Sequence, residues 1–316
     1  AEKVEPLIDT TRTGGVVSYS AAVKVATPAV VNIFTTQKVK QMNHPLLNDP
    51  VFREFFGNQI PQQPQNENSL GSGVIVRADG YILTNNHVIA QAEHIVVALH
   101  DGRRAEAKVI GTDPDTDLAV IKIELDKLPV LPFKLSGNEV GDVVLAIGNP
   151  FGVGQTVTQG IISATGRSDL GINTYEDFIQ TDAAINPGNS GGALIDVAGN
   201  LIGVNTAIFS QSGGSLGIGF AIPAQICQQV LNSILKDGRV VRGWLGISLI
   251  PNTLDEDVLA SKPVGVIVAD VLRDGPADAA GVKRGDKIIQ VNNEQISSAS
   301  QLINYVALQA PASVID

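Results

Sequence analysis

Asn186-Pro-Gly-Asn-Ser-Gly-Gly192 is a glycine-rich turn that lies between two short apolar runs of the sequence. A serine flanked by glycines on a tight turn between strands presents its hydroxyl outward, among backbone amides that carry little side-chain bulk. We predict an oxyanion hole within Gly188, Asn189 and Ser190, with the N–H groups of Gly188 and Ser190 as its donors. Taken alone, the stretch is equally compatible with an ordinary glycine-rich β-turn, so other residues must decide.

Short strand-like runs separated by turn signals extend on both sides of this turn. Ala78-Asp-Gly80 and Asp101-Gly102 are turns of the hairpin type. Regularly spaced short strands with almost no helix indicate an all-β barrel or sandwich, and a break near 125–140 suggests two halves of about six strands each. The predicted runs are 29–35, 73–76, 81–84, 95–99, 105–110, 118–123, 143–147, 157–164, 178–181, 193–195, 201–207 and 219–222.

Two polar segments interrupt the first part of the chain. Residues 1–18 are polar and turn-rich, and we predict that they form an N-terminal arm. Residues 37–70 combine prolines and many Gln and Asn side chains with one short apolar patch at 51–56. We predict a long loop with a small packed element inside it, since loops of this length are usually functional or mobile.

The chain is predicted to contain a second, smaller domain. A helix at 223–236 has apolar residues at helical spacing, and Asp237-Gly238 ends it. The pattern then changes to mixed α/β, which places the first domain at 19–236 and the second at 237–316. In the second domain we predict strands at 244–249, 264–271 and 286–292 and helices at 276–280 and 298–308.

Composition narrows the classes of function. The net charge of −10 argues against a nucleic-acid partner, because such affinity comes mainly from Lys and Arg. Cys227 is the single cysteine, so neither an intrachain disulfide nor a cysteine metal cluster can form, and we expect no metal or other cofactor. The polar start at Ala1 allows a removed targeting or anchor segment. The strand-like Ala312-Ser-Val-Ile-Asp316 leads us to expect that the protein continues and that the second domain is incomplete.

His87 is the best candidate for a base that would activate Ser190. It lies in Leu83-Thr-Asn-Asn-His-Val-Ile89, where an apolar strand ends in a polar turn. A lone histidine there is more often structural than catalytic, but pairing it with the serine of the glycine-rich turn changes that balance. The remaining histidines lie in polar surroundings: His44, His94 and His100.

Asp117 is the best candidate for the group that orients the histidine. It directly precedes the apolar run 118–123, where a carboxylate can be partly buried, whereas Asp113 and Asp115 resemble solvated turn residues. The order of His87, Asp117 and Ser190 along the chain is the chymotrypsin order of a catalytic triad. We therefore predict a chymotrypsin-like double β-barrel with the site in the cleft between the barrels.

Five motifs together resemble the HtrA family of serine proteases, from about residue 20 to the end of the chain. The resemblance implies a serine endopeptidase followed by a PDZ domain, in a homotrimer in which Tyr19 and the arm around it make the contact. The motifs are Thr84-Asn-Asn-His-Val88, Thr116-Asp-Leu-Ala119, Ala146-Ile-Gly-Asn-Pro-Phe-Gly152, Gln180-Thr-Asp-Ala183 and Gly188-Asn-Ser-Gly-Gly192.

The resemblance also implies a substrate pocket without charge. Ala184, six residues before Ser190, would lie at the bottom of the S1 pocket, and no carboxylate is available there to pair with Lys or Arg. By resemblance, Ile185, Ile208 and Phe209 line a shallow apolar pocket. We predict cleavage after small aliphatic residues such as Val or Ala.

The second domain resembles a PDZ domain in two places, Arg242-Gly-Trp-Leu-Gly-Ile-Ser248 and 275–289. Backbone N–H groups of the first would capture a peptide C-terminus, and the following strand would pair with the peptide. The implied peptide-binding residues are Trp244, Leu245, Gly246 and Ile247. The segment 167–177 would be a sensor loop, with Arg167 as the candidate contact to the PDZ domain or its ligand.

Three functions are weighed. The first is a regulatory protease of the bacterial envelope, membrane-anchored in its full length, that cuts an anti-sigma factor in a stress response. The second is a soluble periplasmic protease and chaperone that degrades unfolded proteins, as the long 37–70 loop suggests. Both take polypeptide substrates and C-terminal peptides of unfolded outer-membrane or envelope proteins. The third, an inert binding protein, is disfavoured by the intact set of His87, Asp117 and Ser190.

Overall fold

The computed structural model describes residues 18–38, 66–149, 154–186, 188–208, 216–250 and 265–316. Antiparallel strands are the predominant regular secondary structure in these residues. The strands are β1 Val30–Lys38, β2 Asn66–Ile75, β3 Tyr81–Asn85, β4 His94–Ala98, β5 Arg104–Glu106, β6 Lys108–Asp113, β7 Leu118–Lys122, β8 Val143–Gly148, β9 Thr156–Arg167, β10 Phe178–Thr181, β11 Ala193–Asp196, β12 Leu201–Ile208, β13 Gly219–Pro223, β14 Ile247–Leu249, β15 Val266–Val271, β16 Lys287–Ile288, β17 Gln290–Val291 and β18 Glu294–Gln295. The helices are α1 Ser20–Ala26, α2 Asn86–Ile89, α3 Ala224–Asp237, α4 Pro276–Ala279 and α5 Ala299–Ala307, with a 3₁₀ turn at Thr27–Ala29.

The first half of the chain folds into a seven-stranded antiparallel sheet in the order β5-β4-β1-β2-β3-β7-β6. Its longest ladder joins β1 to β2, with Val31 opposite Gly73. A Cβ at Gly73 would lie 2.8 Å from Ile82 and 3.0 Å from Ile33, so this glycine lets apolar side chains fill the space above the strand. Ile33 and Ile82 are fully buried in the resulting core.

The second half closes into a six-stranded antiparallel barrel in the order β10-β13-β12-β11-β8-β9. Alternate side chains of β8 pack into two different cores, because successive side chains of a strand point to opposite faces. Val144 and Ala146 pack inside the barrel, and Leu145 and Ile147 join the large core shared with the first sheet. Burial on both faces explains why the run 143–147 is apolar throughout.

Helix α3 closes the first domain. Ile226, Val230, Leu231 and Ile234 are buried at the predicted helical spacing. A Cβ at Gly111 of β6 would lie 2.6 Å from Ile234, so the helix packs closely against the first sheet. Gly238 has a φ of 71° and its N–H bonds to the carbonyl of Ile234, which ends the helix as predicted.

The second domain has a three-stranded sheet, β14-β15-β16, a two-stranded hairpin, β17-β18, and the helices α4 and α5. Its core is Val266, Val291, Ile296, Leu302 and Val306. The N-cap of α5 is Ser298, whose hydroxyl accepts from the Gln301 N–H. No helix in the described parts of the chain is long and apolar enough to cross a membrane.

The predicted mainly-β fold with a smaller α/β domain is confirmed, and several predicted bounds are corrected. The loop predicted at 37–70 is shorter, because β1 and β2 remain paired out to Lys38 and Asn66; a backbone ladder does not require apolar side chains. The predicted strand 105–110 is divided between β5 and β6. The strand predicted at 244–249 begins at Ile247, and that at 286–292 is two short strands. The arm 1–18 lies outside the described residues except at its end.

Candidate active site

His87 and Asp117 are joined by two hydrogen bonds at the end of β3. The His87 backbone N–H donates to Asp117 Oδ1 at 2.9 Å, and His87 Nδ1 lies 2.7 Å from Asp117 Oδ2. Because a carboxylate only accepts, the neutral imidazole carries its proton on Nδ1. Nε2 then keeps a lone pair, as a general base requires.

The position of Asp117 is determined by the turn before β7. Its φ of 58° is left-handed, a conformation that Asp tolerates better than most residues. Its carbonyl accepts from the Asn86 N–H at 3.1 Å and the Asn85 side-chain amide at 2.9 Å. The residue is 9% exposed, so the carboxylate is held in a partly desolvated position against the first turn of α2.

Thr206 connects Asp117 with Ser190. Its hydroxyl donates to Asp117 Oδ2 at 2.8 Å, and its backbone carbonyl accepts from Ser190 Oγ at 3.2 Å. Thr206 of β12 therefore bonds to two of the three predicted triad residues, and the third, His87, bonds to Asp117. Thr206 could not be predicted as a site residue, because Leu201-Ile-Gly-Val-Asn-Thr206 has the pattern of an ordinary buried strand.

The turn that carries Ser190 is locked against β2. The Ser72 N–H donates to the Ser190 carbonyl at 2.9 Å, and the Ser72 hydroxyl donates to the Gly188 carbonyl at 2.7 Å. Gly191 has a φ of 82°, and a Cβ there would lie 2.1 Å from the Ser72 carbonyl oxygen and 2.4 Å from Thr84 Oγ1. The second glycine of the motif is thus required for this contact with the first domain.

The predicted oxyanion hole needs one correction. The Asn189 N–H donates to the Asn186 carbonyl at 3.0 Å, so that amide is part of the turn and is not available to an oxyanion. Within the described residues, no acceptor is found for the N–H groups of Gly188 and Ser190. The predicted pair of donors therefore remains, without Asn189.

Of the predicted S1 residues, Ile185 packs in the core of the second barrel. Ile185 is 2% exposed, and a Cβ at Gly219 of β13 would lie 2.8 Å from its side chain. Ile208 ends β12, next in sequence to the strand segment that holds Thr206. The side chain of Ile208 and all of Phe209 lie outside the described residues, so the pocket itself stays a prediction.

The second domain contains a groove of about 770 Å³ between β14 and α5. It includes all four predicted peptide-binding residues, and Trp244 is 61% exposed there. In the described sheet, β14 has a neighbouring strand on one side only, so its other edge faces the groove. The lining residues are Asp169, Tyr175, 243–249, 298–300, Leu302, Ile303, Val306 and Ala307.

Backbone orientation in the loop before β14 favours an anion. The Leu245 carbonyl accepts from Ala277 N–H at 3.0 Å and the Gly246 carbonyl from Leu272 N–H at 2.8 Å. Because the C=O and N–H of a trans peptide point in opposite directions, the N–H groups of Gly246 and Ile247 point away from those partners. Successive amides of this kind form an anion-binding nest.

The predicted sensor loop contacts the second domain through residues other than Arg167. Arg167 Nε donates to Gln180 at 2.9 Å, on the neighbouring strand. Ser300 donates its hydroxyl hydrogen bond to Asp169, and the Asn304 amide bonds to the Glu176 carbonyl. In the part of the chain that the structure describes, the interdomain contact of Arg167 is therefore not found. The sequence pattern does not show which polar residue of this loop contacts the second domain.

The same loop is organised by a buried carboxylate. Glu176 accepts from the N–H groups of Leu170, Ile172 and Asn173, at 2.6, 2.5 and 3.0 Å. The loop also touches the segment before the triad aspartate, since the Tyr175 N–H donates to the Asp115 carbonyl at 3.0 Å. Through hydrogen bonds the loop therefore contacts both the second domain and the turn of Asp117.

Arg242 is a second interdomain connection. Its guanidinium makes two hydrogen bonds to the Asp113 carboxylate and lies 4.4 Å from the centre of the Tyr175 ring. The two side chains are 16% and 4% exposed. Asp113, which the sequence suggested to be solvated, is thus buried, because an arginine distant in sequence neutralises it.

Tyr19 lies half-buried before α1, packed against the core of the first domain. Its carbonyl accepts from the Val23 N–H at 3.1 Å. Its predicted part in a trimer stays a prediction.

Two domain families match the chain. The trypsin-like peptidase domain matches residues 71–204, a segment that contains His87, Asp117 and Ser190. The PDZ domain matches residues 233–316, which include the groove.

Similar proteins agree with these matches. A probable periplasmic serine endoprotease described as DegP-like, from Chlamydia pneumoniae, is 47% identical over 93% of this chain and 64% of its own length. One from Ectopseudomonas mendocina is 46% identical over 91% and 64%. The chain thus spans just under two thirds of the length of these relatives. The solved structure of the HtrA-type protease AlgW with a decapeptide is 55% identical, with a TM-score of 0.74, and the match covers 94% of this chain and 92% of that one.

Proposed function

Because the chain belongs to the HtrA family of serine proteases, we propose that it is a serine endopeptidase whose activity responds to peptides bound by its PDZ domain. The endopeptidase activity is supported by the hydrogen bonds that connect the three triad residues. His87 is held by Asp117 through Nδ1, and Ser190 and Asp117 both bond to Thr206.

The proposed reaction follows from this geometry. Ser190 Oγ attacks the carbonyl carbon of the scissile peptide while His87 Nε2 takes the hydroxyl proton. Asp117 accepts from Nδ1 and stabilises the imidazolium that forms. The N–H groups of Gly188 and Ser190 donate to the oxyanion, and His87 then protonates the leaving amine. A water molecule hydrolyses the acyl-enzyme by the same steps.

Ser190 must rotate for this reaction, since its Oγ hydrogen bond goes to the Thr206 carbonyl. Rotation about one side-chain bond is a low-energy change between staggered rotamers. Catalytic hydrogen bonds are often absent without substrate and form in the complex. The proposal therefore needs no rearrangement of the turn.

The substrate is proposed to be a polypeptide with a small aliphatic residue, Val or Ala, before the cleaved bond. Ala184 and the buried Ile185 support this preference, since neither can pair with a cationic side chain. A peptide series that varies this one residue tests it. Preferential cleavage after Lys or Arg would overturn it.

The PDZ groove is proposed to bind the C-terminus of a peptide. The anion-binding loop before β14 takes the carboxylate, the open edge of β14 pairs with the peptide backbone, and Leu245, Leu302 and Val306 surround the last side chain. The similar AlgW structures are described as complexes with a tripeptide and a decapeptide, which supports this use of the groove.

The cellular setting is proposed from the relatives. Their names place them in the periplasm, and we propose the same compartment, with unfolded envelope proteins as the source of the activating C-termini. A homotrimer and a role in the envelope stress response remain part of this proposal. A dedicated regulator would cut one anti-sigma factor, whereas a quality-control protease would degrade unfolded proteins in general.

One set of assays tests the proposal. The chain should cleave unfolded casein, and Ser190→Ala should lose this activity while keeping the same melting temperature. A peptide with a free C-terminal carboxylate should raise the rate, and its C-terminal amide should not. Undiminished cleavage by Ser190→Ala would refute the mechanism, and equal rates with both peptides would refute control by the PDZ domain.

A further inference from the structure

One wall of the PDZ groove is supplied by the protease domain. Asp169 and Tyr175 belong to the loop between β9 and β10, yet both line the groove together with α5. Asp169 is held there by the hydrogen bond from Ser300, in the first turn of α5. A peptide in the groove therefore lies against residues of both domains.

Asp169 brings charge to an otherwise neutral groove. Among the described residues that line it, the others are glycines, apolar side chains, serines and Tyr175. Asp169 is exposed and has a φ of 61°, so its carboxylate is presented from a tight left-handed turn. The Ser300 hydroxyl and the Ser168 hydroxyl, the latter at 3.4 Å, occupy only part of the four lone-pair positions of this carboxylate.

The geometry assigns one peptide position to this carboxylate. The end of α5 lies beside the carboxylate-binding loop, since a Cβ at Gly243 would lie 2.4 Å from the Val306 carbonyl oxygen. From Val306 back to Ser300 is six residues of helix, about 9 Å. An extended peptide covers that distance in between two and three residues.

Side chains of an extended peptide alternate between the groove and solvent. When the last residue points into the groove, the residue two before it also points there, and those one and three before it point away. The position that reaches Asp169 is therefore the third residue from the C-terminus.

We propose that Asp169 is a specificity-determining residue of the groove, which selects C-terminal peptides with Lys or Arg two residues before an apolar last residue. This inference rests on the proposed peptide-binding function and extends it to the class of ligand. Because Asp169 is exposed and already accepts from Ser300, the preference is expected to be about two- to five-fold in affinity, as for other exposed ion pairs.

Trp244 makes the measurement direct. It is the single tryptophan of the chain and lines the groove, so its fluorescence reports occupancy. The probes are alanine-based hexapeptides that end in Val and carry Lys, Leu or Glu two residues before it, together with a Lys peptide shifted by one position and a C-terminal amide. The protein is the full chain with Ser190→Ala, which prevents cleavage of the probes.

The Lys peptide should bind about two- to five-fold more tightly than the Leu peptide, and the Glu peptide more weakly than both. Shifting Lys by one position should remove the advantage. This control distinguishes a local ion pair with Asp169 from the general attraction of a cationic peptide to an acidic protein. In Asp169→Asn, which keeps an acceptor for Ser300, the Lys and Glu peptides should approach equal affinity.

Three outcomes would count against the inference in different ways. An unchanged Lys-to-Glu ratio in Asp169→Asn would overturn it while leaving peptide binding intact. An advantage that survives the one-position shift would also overturn it. Equal binding of the carboxylate and amide peptides would overturn the proposed function of the groove, and this inference with it.

Discussion

The active site and the PDZ groove both serve polypeptides, but they are built in opposite ways. The active site is a closed network of hydrogen bonds in which Thr206 and Asp117 are buried and the exposed His87 bonds to Asp117. The groove is formed mostly by apolar side chains and backbone, with one exposed carboxylate at Asp169. Bond cleavage needs reacting groups held in one geometry, whereas recognition of many C-termini requires only a strand edge and an anion-binding loop.

The closed character of the active site makes its glycine turn intolerant. Gly191→Ala should lower kcat/KM by at least about 100-fold, because a Cβ would lie 2.1 Å from the Ser72 carbonyl and the turn of Ser190 would have to move. The measurement is hydrolysis of a short chromogenic peptide with an apolar residue before the cleaved bond.

Gly141→Ala is the matched control for that prediction. Gly141 also has a positive φ, 98°, but a Cβ there meets nothing within 4 Å. It should cost about 1–2 kcal/mol of stability through backbone strain and leave kcat/KM unchanged. If both glycine variants lose activity equally, close packing at Gly191 is not the cause.

Arg242 tests whether the contact between the two domains depends on buried polar partners, as the active site does. Arg242→Met should lower the free energy of unfolding by about 3 kcal/mol, because Asp113 would stay buried without its partner. Chemical denaturation measures the change, and adding Asp113→Asn should recover part of it.

An exposed pair of similar geometry provides the comparison. Arg77 and Asp79 also form two hydrogen bonds, but both side chains are about half exposed. Arg77→Met should therefore cost less than about 1 kcal/mol. Equal losses in Arg77→Met and Arg242→Met would mean that burial of the Arg242 pair contributes nothing.

Substitutions of Thr206 measure how much its hydrogen bond to Asp117 contributes to catalysis. Thr206→Val keeps the shape of the side chain but removes the donor to Asp117. A hydrogen bond to a charged group contributes about 1.5–3 kcal/mol, so kcat should fall roughly ten-fold or more with a smaller change in KM. Thr206→Ser restores the hydroxyl and should restore most of kcat. Equal kcat in the Val and Ser variants would show that Asp117 needs no help from this residue.

The same contrast explains what could be predicted from the sequence. Strands of the first domain follow from apolar runs between turn signals, and His87, Asp117 and Ser190 follow from local motifs that carry chemistry. Thr206 and Ser72 act through their backbone and a single hydroxyl, and neither leaves a pattern in a sequence.

Contacts between distant segments were the other part that could not be predicted. Asp113 was expected to be solvated because the sequence around it is polar, and only the fold brings Arg242 to it. The sensor loop was expected to act through Arg167, because the family resemblance implied that contact. In the structure, Asp169 and Glu176 reach the second domain instead, since α5 lies beside their part of the loop.

Substitution of Asp177 is expected to have the smallest effect on stability. It tests whether this carboxyl group is desolvated between the two domains. Asp177 borders a small cavity of about 40 Å³ between the domains, lined by apolar residues such as Val230 and Ala307 and by polar ones that include Arg242. Burial raises the pKa of its carboxyl above the ordinary value. Its stabilising contribution is therefore complete below the unfolded-state pKa and is lost as the pH rises through the folded-state pKa.

Asp177→Asn removes the charge of the carboxylate but keeps the shape of the side chain. The variant should have a higher melting temperature than the parent at pH 8, and the difference should shrink as the pH falls toward 4. If Asp177→Asn is instead less stable at pH 8, the carboxylate is paired in the native state, and the junction has the closed polar character of the active site.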